Sequence, residues 1–195
     1  EENQKLRDKV FRGEDLIDLL EEEITKFLVK LSNTDLSRRQ IDIVTSMFHA
    51  VKDIERIGDH AKNIAELSIE KSSKRLKFSD EAKEELNKIF DCTMTALDRA
   101  IKSFENNDVC LARSIYEIED RIDTLEEQLR DNDIKRLNTK QCEARVSAIY
   151  LDIINNFERV GDHSLNIGEA VLNLNHLHKS SDDNSTGVQK TAGNK

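Results

Sequence analysis

Residues 55–66 read ERIGDHAKNIAE and residues 158–169 read ERVGDHSLNIGE, identical at 8 of 12 positions with a constant offset of 103. This is an internal duplication. The preceding segments match too, since Glu14-Asp15-Leu16-Ile17-Asp18 aligns with Glu119-Asp120-Arg121-Ile122-Asp123 at an offset of 105. Each repeat therefore holds two corresponding helical segments. A further apolar-periodic segment at 80–105 stands in front of the second pair and has no counterpart ahead of the first, so the first repeat lacks its first helix.

Composition supports long helices. Among 195 residues there is no Pro and no Trp, and Gly occurs six times, so the residues that tight turns and short strands require are scarce. Apolar residues recur at three- and four-residue steps, predicting helices near 2–31, 37–71, 80–105, 109–136 and 140–177. Helix starts are marked by Ser37 with Gln40, by Ser79 with Asp80 and Glu81, and by Asp108. The expected organisation is a first repeat at 1–72, a second at 79–177 and a disordered polar tail at 178–195. The fold class is all-α, with tandem bundles of long antiparallel helices.

Several function classes are excluded. A net charge of −9 without a basic stripe argues against nucleic acid, which needs clustered Lys and Arg. No apolar run approaches the length of a membrane span, and no signal peptide is expected within these residues. Three dispersed cysteines, Cys92, Cys110 and Cys142, form neither a disulfide framework nor a thiolate zinc site and point to a reducing, cytoplasmic setting. No Ser-His-Asp or Cys-His arrangement and no Gly-rich phosphate loop supports catalysis.

The carboxylates carry the chemistry. At 100° per residue, Glu55, Asp59, Asn63 and Glu66 share one stripe, as do Glu158, Asp162, Asn166 and Glu169. About the turn at 32–37, Asp18 and Glu14 stand roughly 21 and 27 Å along their helix, and Glu55 and Asp59 roughly 27 and 33 Å along the returning one. Asp123 and Glu119 match Glu158 and Asp162 in the same way. A single i,i+4 acidic pair is ordinarily a solvated face. Four such pairs at matched heights in two repeats favour bound cations of the oxygen-liking or borderline kind: Mg, Ca, Mn, Fe or Zn.

Neighbouring residues have two readings each. Gly58 and Gly161 lie mid-helix, where they admit either a neighbouring helix or an ion cluster. Arg56 and Arg159 form ion pairs with the stripe or meet a phosphate bidentately. His60 and His163 fall about 100° around from Asp59 and Asp162, off the stripe.

The doubled D/N-x-E-R-I/V-G-D-H-x-x-N-I-x-E, at Asp53 to Glu66 and Asn156 to Glu169, together with Glu14/Asp18 and Glu119/Asp123, resembles the PhoU domain, a helical repeat module of bacterial phosphate regulation. The resemblance covers nearly all of 1–177. It implies two three-helix bundles whose acidic motifs hold multinuclear iron or zinc clusters, here at Glu14, Asp18, Glu55, Asp59, Glu119, Asp123, Glu158 and Asp162. Position 53 is Asp where its mate is Asn156, so a carboxylate is missing from the second repeat and unequal metal content is expected. The stretch Leu20 to Ser32 is more similar to the PhoU-like cytoplasmic tail of bacterial sodium/phosphate cotransporters than to the free-standing regulator.

The expected function is a non-enzymatic, metal-binding regulatory domain of a sodium-dependent phosphate transporter, at the cytoplasmic side of the cell membrane. Its membrane domain would lie upstream of Glu1 in the same polypeptide, a fragment origin that the absent initiator Met fits. Inorganic phosphate is a possible ligand. The alternatives are a free-standing PhoU-type regulator and a metal-free helical adaptor. The incomplete first repeat leaves apolar surface open, and a homodimer covering the face of residues 2–71 is expected.

Overall fold

The computed structural model describes residues 2–186, which form six helices: α1 (Glu2–Ser32), α2 (Arg38–Ser73), α3 (Asp80–Asn106), α4 (Val109–Arg113), α5 (Tyr116–Asn138) and α6 (Ala144–Thr186). No strand occurs among the described residues. The starts follow local chemistry. Ser37 and Gln40 close a capping box, with Ser37 N–H donating to Gln40 Oε1 at 2.9 Å. Ser79 Oγ accepts from Ala82 N–H at 3.2 Å, and Asp108 Oδ1 accepts from Cys110 and Leu111 N–H at 2.9 and 3.0 Å. Asn107 ends α3 in the left-handed region at φ 51°, a conformation that Asn tolerates better than most residues.

Two expected elements differ. The helix predicted over 109–136 is broken into α4 and α5 at Ser114–Ile115. Backbone bonding tightens there to three-residue steps, with Ser114 N–H on Leu111 O at 3.1 Å and Ile115 N–H on Ala112 O at 3.2 Å, while Ser114 Oγ also donates to Leu111 O at 2.7 Å and Ser114 O accepts from Arg99 Nη1 at 3.4 Å. The apolar period runs through this break, which hid it. At the other end, α6 passes its expected stop near 177 and continues to Thr186, so the part of the predicted tail at 178–186 is helical. No Gly or Pro lies between 177 and 186 to stop it. Residues 187–195 lie outside the described residues.

The second repeat is a complete three-helix bundle of α3, α5 and α6. Its core is Ile89, Ala96, Ala100, Ile122, Leu129, Tyr150 and Ile154, all at most 3% exposed. Alanines on α3 let it lie close against α6, where Thr93 Oγ1 donates to Phe157 O at 3.2 Å. The first repeat is the pair α1–α2, and α2 makes its broadest contact with α6, so the two motif helices pack against each other.

The difference between the repeats shows at equivalent positions. Leu129, under α3, is 3% exposed, whereas its mate Ile24 is 41% exposed. Leu20 and Phe27, on the same flank of α1, are also exposed. The open apolar face expected for residues 2–71 is therefore present. Among the described residues no helix is long and apolar enough to cross a membrane.

Candidate metal centre

Pairing α1 with α2, and α5 with α6, brings acidic side chains from both partners together. Glu14, Asp18 and Asp59 each offer an oxygen within 4.8 Å of the others, and Glu119, Asp123 and Asp162 do the same in the second repeat. Six of the eight predicted ligands thus form two trios. The other two, Glu55 and Glu158, stand one turn before Asp59 and Asp162 and flank the trios without joining them. Glu55 is near enough to act on Asp18, and Glu158 on Glu119.

Crowded negative charge and burial leave their mark on the protons. Burial, then the neighbouring Asp123 and Asp162 carboxylates, push Glu119 up to about 7. Burial and Asp162 raise Asp123 and Glu158, with Arg159 opposing at Glu158. Asp18 is raised by loss of solvation and by Glu14, with Lys62 opposing.

Glu14 is 4% exposed; its Oε1 accepts from Lys62 Nζ at 2.7 Å, while its Oε2 is buried and lacks a hydrogen-bond partner. A buried carboxylate oxygen without a donor is costly, and a cation among these carboxylates would satisfy it. The donor set, all carboxylate oxygens, suits hard or borderline ions. The residues present therefore fit the metal that the PhoU resemblance implies.

The glycines and arginines resolve to their structural readings. A Cβ at Gly58 would stand 3.3 Å from Ile17 Cδ1, and one at Gly161 would stand 3.0 Å from Ile122 Cδ1, so these glycines admit the neighbouring helix. Arg56 Nη1 lies 3.3 Å from Asp59 Oδ2, and Arg159 Nη1 lies 3.3 Å from Asp162 Oδ2.

Other motif residues do not line the trios. His60 Nδ1 lies 2.9 Å from Asn156 Oδ1, and His163 Nδ1 lies 2.8 Å from Asp53 Oδ1. Asn63 and Asn166 donate to the same two oxygens, at 3.4 and 3.0 Å. The imidazoles stack with centroids 5.5 Å apart, so the residues at 53, 60, 63 and their mates stitch α2 to α6. Asn63 and Asn166, placed on the carboxylate stripe by the helical wheel, belong to this crossing. So does Asp53, and its replacement by Asn156 removes no carboxylate from a trio. Glu169, also placed on the stripe, accepts from Tyr116 Oη at 2.9 Å.

Lys62 and Lys52 were missed as parts of the first centre. Their signal was a mismatch between repeats, since their mates are Leu165 and Asn155.

Comparison with known proteins agrees with this architecture. A model of the PhoU domain matches residues 1–68 and 86–171. The chain is 32% identical over 171 residues to the phosphate-specific transport system accessory protein PhoU homolog 1 of Thermotoga maritima, covering 87% of this chain and 73% of that protein. It is 26% identical over 172 residues to a PhoU homolog of the same description from Xylella fastidiosa, covering 87% and 70%. The crystal structure of PhoU from Pseudomonas aeruginosa shares the fold with a TM-score of 0.81 at 22% identity, covering 90% of this chain and 82% of that one. PhoU of Streptococcus pneumoniae follows at 0.73 and 22%, covering 88% and 79%. With both repeats matched by the family model and a relative 32% identical over most of its length, the chain belongs to the PhoU domain family.

Proposed function

We propose that this protein is a non-enzymatic, metal-binding regulator of phosphate uptake, working at the cytoplasmic side of a phosphate-specific transport system as an accessory protein. Its matched relatives are named as phosphate-specific transport system accessory proteins, which favours the free-standing regulator over the expected tail of a sodium cotransporter. The observation that carries the metal reading is the buried, donor-less Glu14 Oε2 beside Asp18 and Asp59, in a trio that recurs at Glu119, Asp123 and Asp162.

Iron or zinc is the family's implied guest, and Mn, Mg or Ca would suit the same oxygens. Metal held at these carboxylates would supply positive charge for phosphate oxygens. Each centre draws ligands from two helices, so a change in carboxylate spacing moves one helix against its neighbour. Asp59 and Asp162 adjoin His60 and His163, which hold the α2–α6 crossing. A centre is thereby tied to the contact between the repeats, where a partner could sense it.

Elemental analysis of protein purified without chelator tests the reading, beside a variant with Asp59 and Asp162 both changed to Asn. Bound metal in the parent and its loss in the variant are expected, with a rise in melting temperature on adding MnCl2 to the parent alone. Equal, negligible metal in both would leave a metal-free helical adaptor.

A further inference from the structure

The two centres share a plan but differ in the cations around them. In the first, Lys62 Nζ is 2.7 Å from Glu14 Oε1, Lys52 Nζ is 3.0 Å from Glu55 Oε2, and Arg56 Nη1 is 3.3 Å from Asp59. In the second, Arg159 matches Arg56 at the same distance from Asp162, but the mates of both lysines are neutral. Leu165 packs against the apolar core, and Asn155 Oδ1 accepts from Arg130 Nη2 at 2.6 Å. Arg130 is also held by Glu126, a turn beyond Asp123. Four carboxylates thus face three cations in the first repeat and one in the second.

Lys62 is the decisive difference. Its partner Glu14 is 4% exposed while the Lys62 side chain is 35% exposed, so the ammonium is fixed to a buried carboxylate and the pair is partly screened by water. An ion entering the first centre must share Glu14 with that ammonium or displace it. At the second centre no lysine stands in the way, because Leu165 occupies the equivalent position.

We propose that Lys62 is a resident counter-cation that makes the first centre the weaker metal site, so that the second centre loads first and, at limiting metal, alone. This rests on the reading of both trios as metal sites. It makes the protein a two-step sensor in which the first centre, with Glu14 Oε2 still lacking a donor, fills only when metal is abundant.

Calorimetric titration of the 195-residue chain with MnCl2 tests the order. Two classes of site are expected, separated by about tenfold or more in Kd, the scale of one partly screened charge pair. Asp123→Asn should remove the tighter class and Asp18→Asn the weaker. Lys62→Met should narrow the gap by tightening the weaker class, whereas Lys62→Arg, which keeps the cation, should preserve it.

A tighter class lost with Asp18→Asn, two classes of equal affinity, or Lys62→Met and Lys62→Arg behaving alike would each overturn the proposal while leaving metal binding intact. Absence of Mn binding by the parent and all variants would remove the metal reading itself. Should Lys62→Met fail to fold by circular dichroism, the order of loss in the two Asn variants decides the question.

Discussion

Replacing Glu119 with Gln should stabilise the metal-free protein at neutral and mildly alkaline pH, and should do little near pH 4. In the folded chain, burial and the Asp123 and Asp162 carboxylates raise Glu119 from 4.5 to about 7. The folded state therefore holds this proton more tightly than the unfolded chain does. The resulting stability is fully present below about pH 4.5 and is lost as pH rises through about 7. The whole gap corresponds to a ceiling of about 3 kcal/mol, and partial exposure of Glu119 to screening water reduces that to about 1–2 kcal/mol. Gln keeps the shape and stays neutral, so it escapes the loss. For a chain of this size the gain is about 3–6 °C in Tm near pH 8.

Thermal melts of parent and variant in chelator, across this pH range, make the comparison. With MnCl2 in place of chelator the order should reverse, since the parent alone keeps its full trio and gains stability by mass action. A variant less stable than the parent near pH 8 in chelator, or a difference that does not change between pH 4 and pH 8, would refute the electrostatic account of this centre.

Other expectations are independent of metal. Gly168→Ala should lose about 1–2 kcal/mol in urea unfolding, because the new Cβ would stand 2.8 Å from Cδ1 of the fully buried Ile115. Gly13→Ala, with nothing within 4 Å, should gain about 0.5–1 kcal/mol from helix propensity. Glu85→Ala should cost about 3 kcal/mol by the same measurement, since Glu85 binds Asn132, Arg136 and Tyr150 at 2.8, 2.7 and 2.7 Å between α3, α5 and α6. Lys83→Ala, which breaks only an exposed pair with Asp80, should leave the urea midpoint unchanged. Sedimentation velocity should show this chain self-associating through the open flank of α1, and Phe27→Glu, at a position 63% exposed, should shift it toward monomer.

How much of this was legible depends on whether one helix or two determined the outcome. Helix identity, capping by Ser37, Ser79 and Asp108, and the acidic pairs are properties of single helices with a fixed period, and the sequence shows them directly. Matching heights across a turn joined Glu14 and Asp18 to Asp59, because antiparallel helices with short connections leave little freedom in register. What stayed hidden was rotation about the helix axes at the α2–α6 crossing. Asp53 lies two residues before Glu55 and looked like an extra ligand, but that offset turns it toward α6, where it meets His163. The same lack of docking information hid Lys62. It sits three residues after Asp59 on the same helix, yet its effect is on Glu14 across the pair. Asp53 against Asn156 led to the expectation of an extra carboxylate at the first centre, whereas the difference at the carboxylates has the opposite sign and comes from Lys62 against Leu165 and Lys52 against Asn155. In a duplicated helical protein, the shared motif therefore identifies the common chemistry. The positions that separate the two sites are the mismatched ones whose side chains reach across to the neighbouring helix.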